Sequence, residues 1–257
     1  GTSKTPEHGA RHHGPGRLDQ PSPSARNRPG ALDTIVSTLP FTPSLPDSEA
    51  PLPLPPLDRW TPAQRRASME AALRHWEPGE DVWIYAYGSL IWRPEFTFEE
   101  RRLATLRGHH RSLCLWSRVN RGTPECPGLV FGLDRGGSCR GVAFRLAGDE
   151  VHEHFPRLWE REMSTGAYDP RWLNCETERG TVKALVFVMN RDNPAYIRAL
   201  PEDELIAVVR RASGKCGPCT DYVMETARAL RASGIRDTRL ENIACRLEAQ
   251  AQLLPDN

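Results

Sequence analysis

No stretch of this 257-residue chain stays apolar for the length that a membrane span requires, and no charged, apolar, small-residue order of a signal peptide opens it. The expectation is a soluble protein. Residue 1 is Gly rather than Met, so a processed or trimmed start, with a leader removed, stays open. Net charge is nearly absent too, at +1, which removes the electrostatic reason to expect nucleic acid or an anionic membrane as the main partner. Cysteine is not organised for stapling. The seven residues (Cys114, Cys126, Cys139, Cys175, Cys216, Cys219 and Cys245) are odd in number and scattered through a chain too long to need disulfides, so reduced thiols in a cytoplasmic setting are expected. There is no internal repeat, and nothing calls for an obligatory protein partner.

What is present divides the chain in two. Residues 1–56 hold 12 of the 23 prolines, with many Ser and Thr and few aromatics. Such a segment cannot bury enough apolar surface to offset its ordering entropy, so it is expected to be a disordered tail without chemistry. His12 and His13 in it are expected to be solvated, and Leu52 to Pro56 polyproline-like. Residues 57–257 are the expected catalytic domain. Thr61-Pro62-Ala63-Gln64 carries an N-cap, a Pro at the first helical position and a capping-box Gln, which predicts a helix to about Trp76, ended by Pro78-Gly79. Strands are expected at 82–87, 111–117, 129–134, 140–146 and 182–189, with Arg135-Gly136-Gly137-Ser138 joining the third and fourth as a hairpin. Helices are expected near 150–164, 202–213, 221–233 and 238–252, with Gly214 and Gly234 as stops and Asp237 as an N-cap. Strands first and helices mostly last argue an α+β domain rather than a doubly wound sheet.

The central stretch is Val82-Trp83-Ile84-Tyr85-Ala86-Tyr87-Gly88-Ser89-Leu90-Ile91-Trp92, a buried strand that breaks abruptly into Gly-Ser. Gly88 lacks a Cβ, so a ligand can approach the main chain, and N–H groups turned out of the ladder can bind a negative oxygen. A plain core strand with its turn fits the same pattern. Ser89 invites a nucleophile reading, but Tyr-Gly-Ser-Leu is not a G-x-S-x-G elbow, so its hydroxyl is expected only to hydrogen bond.

One carboxylate stands out. Val151, Phe155, Leu158, Trp159 and Glu162 fall on one helical stripe, so Glu162 sits on the face that should be buried, whereas Glu150, Glu153 and Glu160 lie off it. The competing reading makes Glu162 a partner for Arg118 or Arg121, or misplaces it because Pro156 kinks the helix. Tyr168 and Tyr222 are candidate pocket walls with a polar tip, or equally core residues with a satisfied hydroxyl.

Two other signals compete. Cys216-Gly217-Pro218-Cys219 opening a helix is a dithiol redox pattern, with a thiolate lowered in pKa at the helix N-terminus, but it lies between two late helices rather than after the first strand of a βαβ unit. A single C-x-x-C, and His152 and His154 two residues apart, do not make a metal site, so no metal is expected. The basic, aromatic run 107–121, with His109, His110 and Trp116, fits a half-exposed strand as well as an RNA contact, and the near-zero net charge favours the strand.

Three motifs occur in order: Tyr87-Gly88-Ser89-Leu90-Ile91-Trp92-Arg93-Pro94, then Arg121-Gly122-Thr123-Pro124-Glu125-Cys126-Pro127-Gly128, then Leu158-Trp159-Glu160-Arg161-Glu162-Met163-Ser164-Thr165-Gly166-Ala167-Tyr168. Together they resemble the ChaC-like γ-glutamylcyclotransferases, from about Trp83 to the C-terminal helices. Ala86 departs from the family pattern, which usually has Gly there. The resemblance implies a small mixed β-barrel with surrounding helices and a cofactor-free lyase that converts glutathione to 5-oxoproline and cysteinylglycine. It implies Glu162 as general base and acid, the Tyr87, Gly88, Ser89, Leu90 and Ile91 loop as substrate cradle, and Arg121 near a substrate carboxylate. Alternatives are a cyclotransferase for other γ-glutamyl peptides or amines, a thiol-disulfide protein using Cys216 and Cys219, and a catalytically silent binding module on the same fold.

Overall fold

The computed structural model describes residues 58–198 and 200–251, without the side chains of 250 and 251. They belong to one compact unit, Pro51–Asn257. The tail expected at 1–56 lies outside the described residues.

Five strands close a barrel: β1 (Val82–Ala86), β2 (Glu100–Ser117), β3 (Gly128–Leu146), β4 (Tyr168–Thr177) and β5 (Gly180–Met189), in the order β1-β3-β2-β4-β5. Neighbours are antiparallel except where β1 meets β5 in parallel, Trp83 opposite Ala184 and Ile84 opposite Leu185, which closes the ring. Helix α1 (Pro62–Ala72) precedes the barrel, α2 (Val151–Glu162) links β3 to β4, and α3 (Glu202–Arg211), α4 (Cys219–Ala232) and α5 (Thr238–Ala251) follow it. A two-residue hairpin, β6 (Ser213–Gly214) with β7 (Gly217–Pro218), leads into α4. The expected α+β class, a mixed barrel with helices around it, is the observed architecture.

The predicted helices form for the predicted reasons. Thr61 caps α1 with both arms of the capping box, although α1 ends at Ala72, short of Trp76. Asp237 accepts from the Leu240 N–H (3.1 Å) to cap α5, and Gly234 follows α4 with φ +68°. Pro156 sits inside α2 without ending it, and Val151, Phe155, Leu158 and Trp159 are all buried. Trp159 stacks on Phe155 (5.5 Å) and meets Phe187 of β5 edge-on (5.3 Å), so the stripe docks α2 onto the barrel.

Several strand expectations need correction. Residues 129–134 and 140–146 are not two strands of a hairpin but parts of β3. Gly136 (φ +99°) and Gly137 (φ +71°) form a bulge where the register with β2 slips between Arg107 and His109. Gly-Gly supplies positive φ for a bulge as readily as for a turn, so the local signal is the same. The part of β2 before Arg111, which carries Glu100, Arg101, Arg102, Arg107, His109 and His110, and all of β4 carry no strong strand pattern. β4 even contains Pro170, tolerated because β4 pairs with β2 only at Cys175 to Thr177, leaving that edge free opposite the ring. Gly214 is a hairpin residue rather than the stop of α3, which ends at Arg211.

Arg111 of β2 anchors the end of β1. Its side chain is 2% exposed and its guanidinium donates to the carbonyls of Tyr87 (2.6 Å) and Arg140 (2.6 Å) and pairs with the Asp237 carboxylate. Removing that carboxylate leaves a buried guanidinium without its counter-charge. Asp237→Ala is therefore expected to cost about 3–5 kcal/mol in urea unfolding, most of it beyond the roughly 1 kcal/mol of a lost cap; a loss no larger than the cap alone would contradict this role for the pair.

Candidate active site

The turn after β1 follows from Gly88 and Ser89. The chain leaves the ladder at Tyr87, and a 3-10 turn spans Ser89–Ile91. The Ile91 N–H bonds to the Gly88 carbonyl (3.0 Å). Among the described residues the N–H groups of Ser89 and Leu90 meet no acceptor, as befits the first donors of a turn. A Cβ built on Gly88 would lie 3.5 Å from the Tyr222 hydroxyl and 3.7 Å from Phe131 Cβ, so the turn faces a pocket rather than backbone. The methyl of Ala86, one residue inside the strand, is fully buried.

Glu162 is the last residue of α2 and keeps 14% side-chain exposure. Burial pushes its carboxyl pKa up; the Arg161 guanidinium, Nε 3.0 Å from Oε1, pulls it down in part, and the nearby Glu95 pushes it up again. The competing reading, in which Glu162 partners an Arg such as Arg118 or Arg121, is met in part, with a different Arg. Arg161, which lies off the apolar stripe, takes that place, and only its position beside Glu162 in the third motif could have drawn attention to it.

Three tyrosines close around the carboxylate. The Tyr87 hydroxyl donates to the Phe187 carbonyl (3.0 Å) and that of Tyr168 to the Phe131 carbonyl (3.0 Å), while the Tyr222 hydroxyl accepts from the Phe131 N–H (3.0 Å). Phe131 lies beyond the part of β3 that β1 covers, which ends at Val142, so side chains satisfy its backbone. Burial raises all three phenol pKa values, and the charge on Glu162 raises them further. Having accepted one bond, the Tyr222 hydroxyl keeps its proton to donate.

Gly88, Ser89, Leu90, Glu162, Tyr168 and Tyr222 all line one small cavity of about 30 Å³. Ser89, Glu162, Tyr168 and Tyr222 also line a chamber of about 540 Å³ that extends past Trp92 and Trp116. That is within the usual range for a small-molecule site. Arg59, Arg93, Arg118, Arg121 and Arg161 border the chamber, and among the described residues Glu162 is its one acidic wall. The structure thus brings most of the sequence-selected residues together. Leu90 and Ile91 are buried and serve the turn through their backbone; Ile91 does not line either cavity. Arg121 is buried, donates to the Pro218 carbonyl (3.2 Å) and lies over the Tyr222 ring (5.4 Å), so its guanidinium holds the chamber wall and orients Tyr222.

The dithiol signal resolves differently. Cys219 opens α4 but is fully buried, with its thiol donating to the Leu129 carbonyl (3.1 Å), and burial pushes its pKa up to about 11 rather than down. Cys216 is exposed, and both are free thiols. His152 packs edge-on against Trp76 and His154 contacts the Thr97 hydroxyl (2.9 Å). Among the described residues no group of three or more His, Cys, Asp or Glu is placed to hold a metal ion.

A family model described as ChaC-like protein matches residues 82–250, the span that carries every one of these site residues except Arg59. The chain belongs to the ChaC-like family. Among its ChaC-like relatives, the glutathione-specific gamma-glutamylcyclotransferase of Escherichia coli (strain K12) is 35% identical over 199 residues, 77% of this chain and 85% of that protein. The human glutathione-specific gamma-glutamylcyclotransferase 1 is 29% identical over 179 residues, 68% and 80% of the two chains. A crystal structure of a glutathione-specific gamma-glutamyl cyclotransferase from yeast superposes with a TM-score of 0.61 at 20% identity, covering 66% of this chain and 96% of that one, a likeness of fold.

The raised pKa of Glu162 has a thermodynamic consequence. The carboxyl binds a proton more readily folded than unfolded, so its contribution to stability is complete below the usual 4.5 and is lost as pH rises through the higher folded value. Glu162→Gln, which cannot ionise, should gain stability relative to wild type as pH rises from about 4 to 8, read from urea midpoints. A relative loss over that range would contradict the desolvated carboxylate.

Proposed function

We propose that this chain is a glutathione-specific γ-glutamylcyclotransferase, with Glu162 as the proton carrier and the Gly88 to Leu90 turn as the γ-glutamyl cradle. One observation carries the reading: a partly sealed carboxylate with a raised pKa shares a small cavity with the Gly88-Ser89-Leu90 turn.

The substrate supplies its own nucleophile. The α-amine of the γ-glutamyl group attacks the γ-carbonyl carbon, the C–N bond to cysteine breaks, and a five-membered lactam leaves as 5-oxoproline beside cysteinylglycine. The amine must shed a proton and the departing nitrogen must gain one, so Glu162 takes the first and returns it to the second, with no net proton exchanged. A carboxylate of ordinary pKa is a weak base for an amine near 8, and burial narrows that gap. The free N–H groups of Ser89 and Leu90 stabilise negative charge as it develops on the carbonyl oxygen or bind the α-carboxylate. Tyr168 and Tyr222 wall the γ-glutamyl end, and the arginine-lined chamber receives the carboxylate-ended dipeptide.

Residues 57–257 form the catalytic domain in this reading, with 1–56 as an appended tail. Seven free cysteines fit a reducing, cytoplasmic compartment, and among the described residues no helix is long and apolar enough to cross a membrane. The chamber also leaves room for leaving groups other than cysteinylglycine, so other γ-glutamyl peptides belong in the assay.

Purified wild type should release 5-oxoproline and cysteinylglycine in equal amounts from reduced glutathione. Glu162→Gln, folded by circular dichroism, should lose about 10²–10⁴-fold in kcat. The acid limb of kcat/KM in wild type should lie above the usual carboxylate value, because the unprotonated carboxyl is the active form and its pKa is raised. An inert wild type, or a folded variant with full activity, would overturn the assignment.

A further inference from the structure

Arg161 is placed to do more than neutralise a carboxylate. All three nitrogens of its guanidinium are engaged by the protein: Nε with Glu162 Oε1 (3.0 Å), Nη2 with the Ser89 hydroxyl (2.8 Å), and Nη1 with both the Arg93 carbonyl (2.5 Å) and Glu95 Oε2 (3.0 Å). The side chain is 15% exposed although its residue borders the chamber. A guanidinium so engaged has no fork left for a substrate carboxylate. It joins the end of α2 to the turn after β1, the two elements that carry the base and the cradle.

Glu95 completes the brace. Its other oxygen meets Arg93 Nε (2.9 Å), and it is the one non-glycine residue with positive φ among the described residues, at +60°. A non-glycine residue in the left-handed region is uncommon, and such positions gather at functional sites. Here the unusual backbone aims a carboxylate at Arg93 and Arg161 together.

We propose that Arg161, braced by Glu95, is a positioning residue for the cyclisation: it holds Oε1 of Glu162 so that Oε2 faces the substrate amine, and it keeps the base in register with the Ser89 turn. This rests on Glu162 being the base. With Arg161 donating to the Ser89 oxygen, the Ser89 hydroxyl proton is left to bond a substrate oxygen. The charged and titratable groups around Glu162 come from every neighbouring element. Arg161 is on its own helix; Arg93 and Glu95 follow the turn; Tyr87, Tyr168 and Tyr222 come from the end of β1, from β4 and from α4; Arg59, Arg118 and Arg121 border the chamber. Of these, Arg161 lowers the Glu162 pKa and Glu95 raises it, so the two halves of the brace act on the base in opposite senses.

The test uses full-chain wild type, Arg161→Met, Arg161→Lys and Glu95→Gln, with the Glu162 side-chain carboxyl followed by ¹³C NMR against pH and assigned by its absence in Glu162→Gln. The titration midpoint should rise in Arg161→Met, fall in Glu95→Gln, and stay near wild type in Arg161→Lys. With glutathione, Arg161→Met should lose about tenfold or more in plateau kcat while KM changes much less, and Arg161→Lys should recover part of it. Midpoints that do not move, or that move the same way in Arg161→Met and Glu95→Gln, overturn the proposal, as does full kcat in a folded Arg161→Met. If Arg161→Met does not fold, the lowered midpoint in Glu95→Gln and a partial loss of kcat in Arg161→Lys carry the test, and an unmoved Glu95→Gln midpoint or full kcat in Arg161→Lys overturns the proposal. Opposed shifts in a wild type that does not turn over glutathione would support the brace and overturn the glutathione reading, so the two fail separately.

Discussion

Keeping a carboxylate partly out of water at the end of a helix is the constraint around which this molecule is arranged. Glu162 loses hydration against the barrel, and as the last residue of α2 it also faces the negative end of the helix dipole. Both effects favour the protonated form. Arg161 restores part of the balance through one oxygen, and Glu95 tempers Arg161 in turn. The result is a carboxyl whose pKa burial raises and Arg161 lowers only in part.

The barrel holds the other half of that arrangement still. β1 is hydrogen-bonded on both sides, to β3 and to β5, so its end is fixed when the chain turns at Gly88. Arg111 clamps the Tyr87 carbonyl at that end and draws its counter-charge from Asp237, which also starts α5. The start of α5, which does not line the small cavity, therefore helps to fix the turn after β1. On the opposite side, Gly122, Gly128 and Gly214 let backbones approach so closely that a Cβ on any of them would fall within 2.5 Å of a backbone atom, which packs the second motif against the hairpin before α4. That packing places Arg121 over Tyr222 and makes the chamber wall.

Sequence alone carried the parts of this design that are local. The Thr61 capping box, the stripe through Val151, Phe155, Leu158 and Trp159 that singles out Glu162, and the strand break at Gly88 are each written within one or two turns of chain. The misses are non-local. Pro170 lies in a strand only because its partner on one edge is absent there, and Gly136-Gly137 is a bulge only because β2 runs alongside. Periodicity places Arg161 off the buried face, and only the meeting of α2 with the turn after β1 gives it its partners Ser89, Arg93 and Glu95 beside Glu162. Cys219 fits a redox motif by spacing, yet packing seals its thiol against Leu129. The roles proposed for these residues rest on the ordered motifs; composition and period could not supply them.

The central claim is that the substrate's own amine, and not water, attacks the γ-carbonyl. Running the reaction with glutathione in H₂¹⁸O and analysing the products by mass spectrometry tests it directly. Cyclisation predicts 5-oxoproline without solvent oxygen and no glutamate, because the lactam keeps the original carbonyl oxygen. Glutamate carrying one ¹⁸O would mean hydrolysis, and with it a different job for Glu162.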